Sequence, residues 1–112
     1  MNSEWKWNSL PKGGGIMGIR SRSTGRCYIV GVSDFRQRGY DHHQKLVKGT
    51  HHNVSLQKEW RPDDFEFVVL EVVHYMDYLP IFKQGWIARS EDCFNTRNAL
   101  PTLRKKRQRK IR

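Results

Sequence analysis

The stretch Phe65-Glu66-Phe67-Val68-Val69-Leu70-Glu71-Val72-Val73 constrains this chain more than any other. Its β-branched and aromatic side chains fit a pleated, packed surface. Such a run predicts a strand in a central, largely buried position, so the remaining sequence must supply sheet partners and covering helices. With 112 residues the chain is long enough for one domain with a modest core and too short for two.

Partners for the strand lie upstream. Ile16 to Arg20 and Cys27 to Val32 are short β-type runs, and Ser21-Arg22-Ser23-Thr24-Gly25-Arg26 between them supplies turn chemistry, which predicts a β-hairpin. Lys12-Gly13-Gly14-Gly15 before it reads as a hinge or turn. Asp34 offers an N-cap and Gly49 a stop for a first helix, in which Phe35, Gly39, His42 and Leu46 share one stripe. Arg38 lies beside that stripe, one turn before His42. Asn53 can cap a second, shorter helix carrying Val54, Leu56 and Trp60, ended by Arg61-Pro62-Asp63-Asp64. Asp77 is the expected cap of a third helix, with Pro80 in its first turn and Ile81, Phe82, Trp86 and Ile87 as its apolar residues. The order hairpin, helix, helix, strand, helix makes an α+β sandwich of a sheet covered by helices.

The net charge is +10, from 21 Lys and Arg against 11 Asp and Glu. Seven of the cations crowd the last ten residues: Arg104, Lys105, Lys106, Arg107, Arg109, Lys110 and Arg112. The body that remains carries only +3, with 14 cations against 11 anions. A block of like charges opposes its own collapse and is best read as a solvated arm that orders on a polyanion. Residues 1–12 read as an N-terminal arm with Trp5 and Trp7 as anchors, 13–96 as the folded domain and 97–112 as the basic tail. No apolar run approaches the roughly 18 residues of a membrane span. The N-terminus does not read as a signal peptide, which points to an intracellular chain in the cytoplasm, nucleoid or nucleus. Cys27 and Cys93 lack metal-type spacing and read as two packed, reduced thiols.

Several short motifs on this element order are similar to the GIY-YIG nuclease family. Gly15-Ile16-Met17 sits where its first motif belongs and Tyr28-Ile29-Val30 where its second does. Arg38-x-x-x-His42 matches the basic pair of the first helix, and Lys48-Gly49-Thr50-His51-His52-Asn53 with Leu56-Gln57 and Trp60 the following loop and helix. Phe65-Glu66-Phe67 into Leu70-Glu71 matches the third strand, and Trp86-Ile87 with Phe94-Asn95 the last helix and the asparagine after it. The resemblance covers roughly residues 13–96 and implies a three-stranded, mainly antiparallel sheet flanked by helices. It also implies phosphodiester chemistry on double-stranded DNA, in which a polarising group readies water, a cation neutralises the developing charge and a magnesium or manganese ion stabilises oxyanions. Tyr28, Arg38, His42 and His51 carry over as catalytic candidates. Arg38 would clamp the phosphate, Tyr28 and His42 would position water or shuttle a proton, and His51 would sit at the rim.

Three departures bear on catalysis. Met17 replaces the first motif's tyrosine with a thioether that does no proton chemistry, and Val30 replaces the second motif's glycine. Lys83 stands where the metal-binding glutamate belongs, and a one-residue shift would put the neutral Gln84 there. Glu71 is the fallback carboxylate. Beside Arg38, the expected DNA contacts are Lys83, Asn95 and the tail residues Arg104, Lys105, Lys106, Arg107, Arg109 and Lys110. Purely structural roles compete with these: an exposed helix arginine for Arg38, a hydrogen-bonded core histidine for His42 and core packing for Trp60 and Trp86. A zinc cluster of His42-His43 and His51-His52 lacks the supporting Cys pair. The sequence therefore reads first as a DNA-binding protein on a nuclease fold with impaired catalysis. An active divalent-metal-dependent endonuclease is the alternative, and a protein-binding scaffold or inhibitor the second alternative.

Overall fold

The structure, a computed structural model, describes residues 9–90 and 92–95. The expected anchors Trp5 and Trp7 and the basic tail lie outside the described residues. Strands β1 (Gly15–Ser21) and β2 (Cys27–Val32) form the predicted hairpin. The Ser21 amide donates to the Arg26 carbonyl at 2.9 Å, and Gly25 takes the left-handed φ of 81° in the turn. Strand β3 (Phe65–Val72) pairs antiparallel with β1, so the strand order is β2-β1-β3.

That order corrects the expected place of β3, which is an edge strand while β1 is central. Its β-branched composition records burial of its two faces and says nothing of its edge. A register shift between Ile16 and Met17 lets β1 follow β3. Gly15 is required there, because a β-carbon on it would fall 2.1 Å from the Glu71 carbonyl oxygen.

Helix α1 (Phe35–Lys48) starts and stops where the sequence predicts. The Asp34 carboxylate accepts from the Arg36 and Gln37 amides at 3.1 and 3.2 Å, and Gly49 closes the helix at φ 80°. Helix α2 (Val54–Glu59) is capped by Asn53, whose side-chain oxygen accepts from the Leu56 amide at 2.9 Å. Trp60 is its C-cap rather than a helical residue. Helix α3 (Leu79–Arg89) carries Pro80 in its first turn as expected, but Asp77 does not cap it. Asp77 lies in a 3-10 turn over Met76–Tyr78, and the cap position falls to Tyr78. The register therefore turns Leu79, Trp86 and Ile87 inward and leaves Ile81 exposed.

The sheet is packed on both faces. On one, Met17, Ile19, Tyr28, Val32 and Phe65 meet Phe35 and Leu46 of α1 and Leu56 of α2. On the other, Ile16 and Ile29 meet Leu79, Trp86 and Ile87 of α3. Fully burying one such large side chain contributes about 1.5–3 kcal/mol. The two faces alternate along each strand, as the pleat requires. Cys93 and Asn95 then run beside the free edge of β2. Cys93 forms a parallel bridge with Cys27, and the Asn95 side chain completes the ladder by accepting from the Ile29 amide at 2.7 Å and donating to its carbonyl at 2.8 Å. The two cysteines are free thiols, as expected. Burial pushes the Cys27 thiol up to about 11. No helix among the described residues is long and apolar enough to cross a membrane.

Candidate functional site

Tyr28, from β2, points between α1 and the loop that joins α1 to α2, and there it meets three histidines. Its hydroxyl lies 2.9 Å from His52 Nε2. Its ring stands edge-on to His42 and His51, with centroids 6.0 and 5.4 Å apart. His42 is brought there by the apolar stripe of α1, because it occupies the same helix face as Phe35, Gly39 and Leu46. His51 and His52 are held by the loop, which is fixed at both ends. The Thr50 amide donates to the Lys45 carbonyl at 2.9 Å, the His51 amide donates to the Gln57 side-chain oxygen at 2.9 Å, and Gln57 Nε2 donates to the Leu46 carbonyl at 3.0 Å.

The hydrogen bonds fix which ring nitrogens carry protons. The Asn53 amide can only donate, so His51 Nδ1 accepts, at 3.0 Å. Neutral His51 then carries its proton on Nε2, which donates to His42 Nδ1 at 2.9 Å. Neutral His42 in turn carries its proton on Nε2. Both rings are neutral near pH 7: burial, aided by neighbouring positive groups, holds His42 down at about 4 and His51 at about 3. Burial also raises the Tyr28 hydroxyl above its ordinary value. The chain thus ends at His42 in an N–H donor, suited to an anion or a lone pair and not to taking a proton.

Arg38 lies one helical turn before His42, its side chain 57% exposed, with a long contact of 3.5 Å to Asp41. An exposed pair of this kind holds little energy, on the order of 0–1 kcal/mol, so the guanidinium can swing to a ligand. Lys45 lies one turn after His42 and acts electrostatically on both His42 and His51.

The remaining sequence candidates are placed elsewhere. His51, expected at the rim, is buried at 6% exposure, and the exposed ring at the rim is that of His52. The two rings stack at 4.5 Å. Adjacent loop histidines must divide between inside and outside, and no periodicity tells which goes where. Asn95, expected on DNA, spends its amide on the Ile29 backbone. Lys83 is half-buried on α3, the helix on the sheet face opposite to Tyr28 and α1. On that side too, the Glu71 carboxylate accepts from the Trp86 indole N–H at 2.8 Å. Trp60 and Trp86 pack against the core, as expected of large apolar side chains at these positions. Met17 is fully buried against Val32 and Phe35.

The divalent metal that the resemblance implies takes oxygen ligands, of which the protein supplies one or two carboxylates and water the rest. Among the described residues no group of three or more His, Cys, Asp or Glu side chains is placed to hold one. Tyr28 and its histidines bring nitrogen and a protonated phenol, and Glu71 is committed across the sheet. Lys83, standing where the resemblance puts the glutamate, offers no oxygen, and the Asp41 carboxylate beside His42 is in contact with Arg38.

Two solved structures resemble this chain. One is the catalytic domain of the homing endonuclease I-TevI, 26% identical, aligned over 67% of this chain and 85% of that domain, with a TM-score of 0.62. The other is a mutant of the catalytic domain of the intron endonuclease I-TevI, also 26% identical, over 68% and 81%, with a TM-score of 0.63. No protein-family model and no curated protein matches the chain.

Proposed function

The chain has the fold of the GIY-YIG homing-endonuclease catalytic domain, and from that premise we propose that it binds DNA and cleaves it poorly or not at all. One observation carries the reading. Tyr28, His42, His51 and His52 form one hydrogen-bonded cluster with the exposed Arg38 a turn away, which supports a phosphate site, and Met17 and Lys83 stand where the resemblance would put a tyrosine and a metal-binding glutamate.

Each retained group has work that a phosphodiester can use. Arg38 presents a planar fork that grips two phosphate oxygens at once. His42 offers a neutral N–H whose direction is set by His51, so it stabilises charge without taking part in proton transfer. Tyr28 adds a hydroxyl whose donor direction is set by the protonation of His52. Without a Lewis acid the developing oxyanions lose several kcal/mol of stabilisation, and each step of about 1.4 kcal/mol is a tenfold loss of rate. The buried Met17 thioether supplies no phenol to compensate. The tail cations from Arg104 to Arg112 add sequence-independent attraction to duplex DNA inside the cell.

A salt titration of the full chain against a labelled duplex tests the reading. Affinity should fall steeply with salt, about 0.9 logarithmic units per neutralised phosphate per decade of salt. Binding that is absent, or that ignores salt, would make the fold a scaffold for some other partner. The likeness to a catalytic domain keeps cleavage as the competing reading, separated by incubation with magnesium.

A further inference from the structure

We propose that His52 is a proton-linked phosphate ligand: it binds a proton when DNA binds, and in doing so turns the Tyr28 hydroxyl towards the phosphate. This deepens the DNA-binding reading and rests on it. His52 is the member of the cluster that is both exposed and in contact with Tyr28, its Nε2 lying 2.9 Å from the hydroxyl. While His52 is neutral, with its proton on Nδ1, its Nε2 accepts, so the hydrogen of Tyr28 is spent on the ring and cannot reach an anion. When His52 takes a proton from solvent, Nε2–H becomes the donor and the tyrosine oxygen the acceptor. The hydroxyl hydrogen is then free to bond a phosphate oxygen, and the rim gains a positive charge at the same step.

The linkage follows from that geometry. A phosphate at Tyr28 favours the protonated form of His52, so DNA binding draws in a proton and affinity falls as pH rises. The groups that face His52 are Tyr28 from β2, His51 from its own loop and His42 from α1, with Arg38, Asp41 and Lys45 next to His42. His42 and His51 are locked to each other and to the Asn53 amide, and burial keeps both neutral through the range of about pH 5 to 8 in which histidines switch charge. His52 stands outside that pair, at the exposed rim beside Tyr28. It differs in this from His51, to which the resemblance assigned the rim.

The test is the affinity of the full chain for a short labelled duplex, followed by fluorescence anisotropy from about pH 5.5 to 8 at constant ionic strength. The unaltered chain should lose up to about tenfold in affinity per pH unit, the limit for one linked proton. His52→Gln keeps a polar partner for Tyr28 but cannot titrate, and its pH dependence should flatten. His74→Gln, at an exposed position after β3, should keep the full slope. A His52→Gln chain that binds with the unaltered slope overturns the inference while leaving DNA binding intact. An unaltered chain that binds no DNA at any pH removes the DNA-binding reading, and the inference with it.

Discussion

Asn95→Ala separates a structural role from a DNA contact. Asn95 accepts from the Ile29 amide at 2.7 Å and donates to the Ile29 carbonyl at 2.8 Å, the position a neighbouring strand would fill beside β2. Alanine removes both bonds and leaves two backbone groups short of partners at a part-buried edge. At about 0.5–1.5 kcal/mol for each net hydrogen bond, the loss is roughly 1–3 kcal/mol. For a domain of this size each kcal/mol shifts the melting temperature by about 4–8 °C, so a fall of roughly 4–24 °C is expected. Asn95→Asp should do no better, because its second oxygen would face the Ile29 carbonyl without a hydrogen. The assay is thermal unfolding by circular dichroism, paired with a DNA titration well below the midpoint, where the variant is folded. Affinity should be unchanged there. An unaltered melting temperature with clearly weakened DNA binding would refute the structural assignment and return Asn95 to the DNA surface.

Other outcomes follow from the same geometry. Arg38→Ala should weaken duplex binding by about 1.5–3 kcal/mol, the scale of a charged hydrogen bond, with no loss of melting temperature; wild-type affinity would make it an ordinary surface residue. Deleting residues 103–112 should flatten the slope of log K against log salt by several units, and an unchanged slope would mean the tail serves something else. Both cysteines should alkylate in denaturant without reductant, while Cys27, held at about 11, should react slowly in the native chain; fast native labelling would contradict its burial. His42 and His51 have folded values depressed below the ordinary 6.5, so the unfolded chain binds more protons as pH falls. Stability should therefore be fully present above about pH 6.5 and decline towards pH 4, and His51→Gln should blunt that decline in melting curves taken across the range.

The elements most legible in the sequence were those fixed by local chemistry. Asp34 and Gly49 bracket α1 because one supplies a side-chain acceptor and the other a left-handed residue, and both signals are written in residue type. The α1 stripe placed His42 inward for the same reason. Strand β3 was visible as a strand, yet its edge position depends on a pairing partner dozens of residues away, and composition does not encode pairing. Asp77 looked like a cap because it precedes Pro80, but a 3-10 turn intervenes and moves the helix start to Leu79. At the site, Tyr28, Arg38 and His42 could be located by motif. The exchange of roles between His51 and His52, and the use of Asn95 as a strand mimic, are tertiary facts. Each depends on which backbone group lies within 3 Å, as the Asn53 amide does for His51 at 3.0 Å and the Ile29 amide for Asn95 at 2.7 Å.

Supercoiled plasmid incubated with the full chain tests at once whether it grips DNA and whether it leaves the DNA uncut. With magnesium present, the plasmid should be retarded on a native gel and should run again as intact supercoiled DNA after the protein is digested away. Magnesium-dependent conversion to nicked or linear plasmid, abolished by a chelator, would contradict the account. It would mean that a carboxylate this structure commits elsewhere, Glu71 first among them, reaches the site and holds the metal.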